Sequence, residues 1–411
     1  MTAAQSSERD EARRDQRDRL FAATVAVVAE RGYATTRVAD VIELAGVSRS
    51  TFYRNFDSLH DCFVQTLDTI LACTEAGIMG VELEDDRPWD QRLRAHFGAL
   101  IDLVVAQPAA ARLCLVESYV AGPDAVARVD RMARAIGRGA LALLEESPER
   151  AGMPREVARA VLGGLRTVIQ VRLYTGRERE LLALAPQLMD WALSYRTPPA
   201  PLRRPRRLPA APTAPARDRS DPHQRIVDAL TAVVARDGYA GTTITEIADV
   251  GSLSLTTFYD CYEGKHAAFM AALDDAVLRL LEVTLPAYRE AENWSRGVRD
   301  GIGALLAYVS HEPDIAAFAA ETVWAGGPEA VRRLEQSLVS FETLLAEDLP
   351  QRSGPSGVVA EAIGASILAL AYDGLTRRGP ERLYRLGPPA AFVALAPAIG
   401  AIEACTIVNE R

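Results

Sequence analysis

Lysine is nearly absent from this chain of 411 residues. Of its 46 basic residues 45 are arginine, and the single lysine is Lys265. The bias alone reads as arginine-preferring codon usage. Cysteine is sparse too: Cys62, Cys73, Cys114, Cys261 and Cys405 form an odd, scattered set with no C-x-x-C. That excludes a disulfide framework and a structural zinc site, and it fits a reducing compartment. Long apolar runs are also missing. The longest, Ala390–Ile402, has 13 residues and contains Pro397 and Gly400, whereas a membrane-spanning helix needs ~20. The N-terminus is polar and reads as no secretory signal. These absences predict a soluble, cytoplasmic protein with no membrane partner. Catalytic signatures are equally lacking. There is no Walker loop, no G-x-S-x-G and no H-E-x-x-H, and His60, His96, His223, His266 and His311 are dispersed. We therefore expect no catalytic residue, no cofactor and no metal site.

What is present is a globular composition, 49% hydrophobic and 25% charged. With aromatics at only 6%, Ala, Leu and Val must form most of the core. The length is about three times the ~150 residues of a typical domain, so two or more domains are expected. A net charge of −9 argues against a uniformly basic nucleic-acid binder. It leaves room for a local basic face, because binding depends on where the charge sits.

The chain repeats itself. GYATTRVADVIELAGVSRSTFYRNFDSL (Gly32–Leu59) aligns without a gap on GYAGTTITEIADVGSLSLTTFYDCYEGK (Gly238–Lys265) at an offset of 206. The preceding AVVAERGY matches AVVARDGY. Further on, AGPDAVARV (Ala121–Val129) parallels GGPEAVRRL (Gly326–Leu334) at an offset of 205. A nearly constant offset over this span implies duplication of a whole domain, at a period far too long for a solenoid. Between the copies, Pro198–Pro215 holds seven prolines and Arg203, Arg204, Arg206 and Arg207. It reads as a semi-extended linker, either simply solvated or serving as a phosphate-contacting arm.

Strand signals are nearly absent and helical periodicity is frequent. Leu20, Ala23, Thr24, Val27 and Val28 share one face of a first helix that Gly32 ends. Thr36 is expected to cap a short second helix and Ser48 a third, Arg49–Asn55. In the second copy Gly238, Thr242 or Thr243, and Ser254 repeat these roles. Longer Ala/Leu-rich helices follow, broken by Pro88, Pro108, Pro123 and Pro154, or by Pro286, Pro313, Pro328 and Pro355. The fold class is all-α, a small three-helix head on a helical bundle, twice. The boundaries are a flexible tail at 1–14, a first head at 15–60 and a first body at 61–197. A linker at 198–220, a second head at 221–266 and a second body at 267–411 complete the chain.

Two short helices joined by a Gly-containing turn form a helix-turn-helix, whose second helix enters the major groove of DNA. Phe52 and Phe56, at i and i+4, face inward. Arg49, Ser50, Thr51, Tyr53, Arg54 and Asn55 include the outward set, with no acidic residue from Gly46 to Phe56. At these residues the sequence resembles the TetR family of transcriptional regulators: GYATTRVADVIELAGVSRSTFYRNF and, more loosely, GYAGTTITEIADVGSLSLTTFYDCY. The resemblance implies a double-stranded DNA operator and a small-molecule effector as partners. It places Thr36 and Arg37 at phosphates, Ser48, Arg49, Ser50 and Thr51 at bases or phosphates, and Tyr53 at a phosphate, with Arg54 and Asn55 beside them. In the second head it implies Thr243, Ser254, Thr256, Thr257, Tyr259 and Lys265. The family often opens the fourth helix with a phosphate-contacting lysine. Lys265 stands there in copy two, and Leu59 in copy one.

The heads differ. Arg49 becomes Leu255, Arg54 becomes Asp260 and Asn55 becomes Cys261. Either the second head reads a different half-site or it is kept for packing. Family members resemble homodimers, so the fused copies imply an intramolecular pseudo-dimer, unless the chain also homodimerises. Its pairing surface would be Pro154–Tyr174 with Pro186–Tyr195 against Pro355–Leu375 with Pro389–Cys405, and small residues such as Gly163 and Gly164 allow close approach. Candidate effector contacts are His96, Tyr119, Arg166, Gln170 and Tyr174, then Tyr308, Trp324, Tyr372 and Asp373. For each of them ordinary packing competes with ligand contact. Repressor and activator both remain open at this point.

Overall fold

The computed structural model describes residues 3–79, 86–327, 329–336 and 357–410. Among the described residues the regular elements are all helical. In the first half these are α1 (Ala3–Arg31), α2 (Val38–Ala45), α3 (Arg49–Asn55), α4 (Leu59–Met79) and α5 (Trp89–Ala106). Next come α6 (Pro108–Arg112), a π-helical turn (Leu113–Glu117), α7 (Ser118–Ala121), α8 (Pro123–Leu144), α9 (Arg155–Tyr174) and α10 (Leu181–Ala192). The second half has α11 (Pro222–Gly241), α12 (Ile244–Val250), α13 (Leu255–Cys261), α14 (Lys265–Arg289), α15 (Trp294–His311) and α16 (Pro313–Ala325). It ends with α17 (Gly357–Arg378) and α18 (Gly387–Asn409).

Local signals explain most boundaries. Gly32 stops α1 at φ 76°, and Gly238 kinks α11 at φ 72°, a region L side chains avoid. Pro108 sits in the first turn of α6, where its missing N–H is harmless. Pro286 departs from expectation: it lies inside α14 and does not break it. Thr36 does not cap α2 either. The N-cap is Arg37, whose backbone N–H is closed by the Asp40 carboxylate at 2.8 Å. Helix α1 begins at Ala3, so residues 3–14, read as a tail, are helical. Pro328 and Pro355 lie outside the described residues.

The chain divides into two compact units, Met1–Ala140 with Arg172–Leu182, and Leu141–Val171 with Ala183–Arg411. In the first unit Leu20, Val41, Ala45, Phe52, Phe56 and Cys62 form the head's core, and Val28, Phe63, Leu67, Leu113 and Val129 form the core beneath it.

In the second unit α17 and α18 pack on each other, and α18 packs on α15. The α9 segment meets α17 through glycines. A Cβ at Gly163 would lie 2.4 Å from Ala369 Cβ, and one at Gly164 would lie 2.6 Å from the Ala362 carbonyl oxygen. Nearby, Tyr195 donates its hydroxyl to the Val393 carbonyl at 2.7 Å, in full burial. By length and mean hydropathy alone, α17 and the stretch Pro380–Asn409 are apolar enough to cross a membrane, which a search for uninterrupted runs overlooks. In this fold 61% and 50% of those windows are buried against protein.

The connecting segment has no regular structure, yet it is fastened to the second unit. Asn409 accepts from the Arg203 N–H at 2.8 Å, His311 Nε2 lies 2.9 Å from the Pro209 carbonyl, and Arg204 pairs with Glu156 at 3.0 Å.

Candidate nucleic-acid interface

Each head builds its presenting helix by the same local rules. Ser48 Oγ accepts from the Thr51 N–H at 3.1 Å, and Ser254 Oγ accepts from the Thr257 N–H at 3.0 Å. These caps satisfy amides that the first turn leaves open. Phe52 and Phe258 are fully buried and anchor α3 and α13. Each ring meets the edge of the following tyrosine at an interplanar angle of 84°. Tyr53 and Tyr259 therefore stay outward, 50% and 58% exposed.

The supports behind these helices also correspond. Thr36 and Thr242 are buried and donate their hydroxyls to the Gly32 and Gly238 carbonyls at 2.8 Å. Arg19 donates to the Ala45 carbonyl, and Arg225 to the carbonyls of Gly251 and Ser252. His60 reaches Asp124 at 3.0 Å, and His266 reaches Glu329 at 3.3 Å. One turn differs. Gly46 takes the left-handed position at φ 61° in the first head, whereas Ser252 takes it at φ 52° in the second.

In the first head Arg37, Ser48, Arg49, Ser50, Tyr53 and Arg54 are exposed, and Thr51 is half-buried. Ser48 holds Ser50 Oγ at 2.8 Å and Thr51 Oγ1 at 2.9 Å, a cluster of rotatable hydroxyls on a helix that also exposes Arg49 and Arg54. Hydroxyls serve either base edges or phosphates, and arginine reads guanine through two hydrogen bonds. Asn55 is not on this face. It is buried, donates to the Thr51 carbonyl and accepts from Arg13 Nε.

In the second head Thr243, Ser254, Thr256 and Tyr259 are exposed and Thr257 is half-buried. Thr243 also caps α12, its hydroxyl accepting from the Glu246 N–H at 3.2 Å. Lys265 is turned to a structural task. Its Nζ donates to the Tyr239 and Thr242 carbonyls, both at 2.9 Å, and sits 4.5 Å from the centre of the Tyr239 ring. Burial lowers its pKa from the usual lysine value.

The effector candidates fall in both units. In the first unit His96 Nδ1 donates to the Arg92 carbonyl at 2.7 Å, and Tyr119 is half-buried on α7. Tyr174 is buried beneath the Arg112 guanidinium, and burial pushes its hydroxyl up to about 12. In the second unit Arg166 is half-buried, Gln170 and Tyr308 are buried, and Tyr372 is half-buried. Asp373 is paired with Arg159 and Arg377. The Trp324 side chain lies outside the described residues. No group of three or more metal-ligating side chains occurs among the described residues.

Sequence reading missed Glu117. This carboxylate, 4% exposed, accepts from the Tyr33 N–H at 2.9 Å and from Arg112 Nε at 3.3 Å. It thereby ties the π-helical turn of the body to the turn that opens the head's second helix. A lone acid inside the apolar run LCLVES was the available signal.

Comparison with known proteins locates the match in the first head. Residues 20–65 match the model of bacterial regulatory proteins, tetR family. No curated protein matches the chain. Similar solved structures include the fatty acid degradation regulator FadR from Bacillus halodurans. It is 18% identical, covers 43% of this chain and 94% of its own, and has a TM-score of 0.38. FadR from Bacillus subtilis, solved in complex with stearoyl-CoA, is 15% identical, covers 43% and 97%, and also has a TM-score of 0.38. A TetR family transcription regulator from Marinobacter aquaeolei VT8 is 16% identical, covers 41% and 94%, and has a TM-score of 0.28. These are regulators, not enzymes. The capped, phenylalanine-anchored helix pair and the family match coincide, and residues 20–65 are similar to the bacterial regulatory proteins of the tetR family.

Proposed function

We propose that the chain is a sequence-specific DNA-binding transcriptional regulator, acting as a repressor that a small-molecule effector releases. The carrying observation is the outer face of α3, where Arg49, Ser50 and Arg54 stand exposed on a helix free of acidic residues. This face suits a major groove despite the acidic whole. Gel shifts on the protein's own upstream DNA test it. Binding should weaken steeply with salt, because phosphate contacts release counterions, and Arg49→Ala should weaken it further. Salt-independent retention, or an unaffected Arg49→Ala, would refute the reading.

We further propose that the chain is a tandem duplication working as an intramolecular pseudo-dimer on an imperfect inverted repeat. Support comes from the paired supports of the two heads (Arg19 and Arg225, Thr36 and Thr242, His60 and His266) and from the close approach of Gly163 and Gly164 to α17. Fusion raises the effective concentration of the partner half and frees the halves to diverge. Light scattering on the full chain should give the mass of one polypeptide, alone and on its operator. A two-chain complex would count against it. A second reading, in which only the first head binds DNA, draws on the exposed Leu255 and Asp260 where the first head has arginines.

A further inference from the structure

Resting on the pseudo-dimer reading, the geometry points to a second head that selects thymine where the first selects guanine, with Leu255 as the discriminating side chain. The two presenting helices share their cap, their buried phenylalanine and their outward tyrosine to within small differences. The hydroxyl pair of the first head also recurs, with Ser254 and Thr257 at 2.8 Å. What differs is the chemistry presented. Arg49 is exposed on α3, and Leu255, 46% exposed, occupies the equivalent place on α13.

Leucine can neither donate nor accept a hydrogen bond. In the major groove the base feature that rewards an apolar group is the 5-methyl of thymine, whereas an arginine pairs with guanine O6 and N7. Leu255 thus replaces a polar contact with a methyl contact on a helix capped and anchored in the same way. Asp260, exposed where the first head has Arg54, removes a positive charge and adds a negative one. The second head therefore engages phosphate less and depends more on direct base contact. The operator becomes directional: one half carries the arginine-read guanine, and the other carries thymine at the symmetry-related position.

Uracil tests the methyl directly, because it keeps the pairing of thymine and lacks the 5-methyl. Sequences are first enriched from random DNA with the full-length chain, and thymines of the second half-site are then replaced singly by uracil. At one position the wild type should lose roughly four-fold in affinity, the value of one buried methyl-sized group. Leu255→Ala should bind more weakly than wild type and be indifferent to that change. Leu255→Arg should shift the preferred base there to guanine and make the selected site symmetric. The inference is overturned if wild-type binding ignores uracil throughout the second half-site, if Leu255→Ala keeps the sensitivity, or if the wild type already selects two identical halves. Failure of the wild type to enrich any sequence would instead overturn the DNA-binding reading beneath it. Leu255 is exposed, so both variants should keep the wild-type circular dichroism.

Discussion

A methyl group on Gly164 would come within 2.2 Å of Ser366 Oγ. The two residues are separated by about half the chain and stand on α9 and α17, which approach as closely as glycine permits. Gly164→Val should therefore lower stability by about 1–3 kcal/mol, the usual range for overpacking. Gly98→Ala on α5 is the control, since a Cβ there meets nothing within 4 Å. That change should be neutral or stabilising by about 0.5–1 kcal/mol. Urea midpoints measure both, and equal effects would contradict the close seam.

Glu117→Ala should leave the Tyr33 N–H without its acceptor and Arg112 without its ion pair. An orphaned buried donor costs about 1–3 kcal/mol. Because the Tyr33 turn leads into α2, DNA affinity should fall along with stability. Glu117→Gln keeps an acceptor and should be milder on both readouts. A stable variant with undiminished affinity would show that this bond does not connect body to head.

Ser252→Gly should stabilise the second head and Gly46→Ser should destabilise the first. Both positions have positive φ, 52° and 61°. A left-handed conformation costs an ordinary L residue roughly 1–2 kcal/mol. Part of the gain is offset by the greater freedom of glycine in the unfolded chain, so shifts of about 1 kcal/mol or less are expected in thermal melts. Opposite signs for the two changes are the decisive outcome.

Alkylation should separate the thiols. Burial, partly offset by hydrogen bonds with Thr24 and Thr66, raises Cys62 to about 11, and burial raises Cys114 to about 12. A raised thiol pKa keeps the group protonated at pH 8, where the thiolate is the reactive form. Cys73 is exposed. Mass spectrometry after brief treatment at pH 8 should find Cys73 modified and Cys62 and Cys114 intact. Equal labelling would mean that the head core opens on the timescale of the reaction.

The heads were legible in the sequence because their determinants are local. Gly32, Ser48, Phe52 and Phe56 act over one or two turns, and each does what its residue type suggests. The cap of α2 was misplaced by one residue because Thr36 puts its hydroxyl back on Gly32, a choice that depends on the preceding turn. The resemblance makes Lys265 a phosphate contact, whereas the Tyr239 and Thr242 carbonyls that hold it belong to another helix end, which its own segment does not reveal. Polar residue type suggests an outward Asn55, but its place three residues after Phe52 puts it on the inner face, where Arg13 bonds it. The effector candidates were chosen by residue type within apolar helices. Type carries no information about which helix lies opposite.

The segment between the halves also has a consequence for cohesion. Arg206 and Arg207 are exposed, but the chain is fastened on both sides of them, by Arg203 and Arg204 before and by Pro209 and Arg217 after. Scission at these arginines should therefore leave two polypeptides that co-elute in size-exclusion chromatography, clasped through Gly164 and Ser366 and through Tyr195 and Val393.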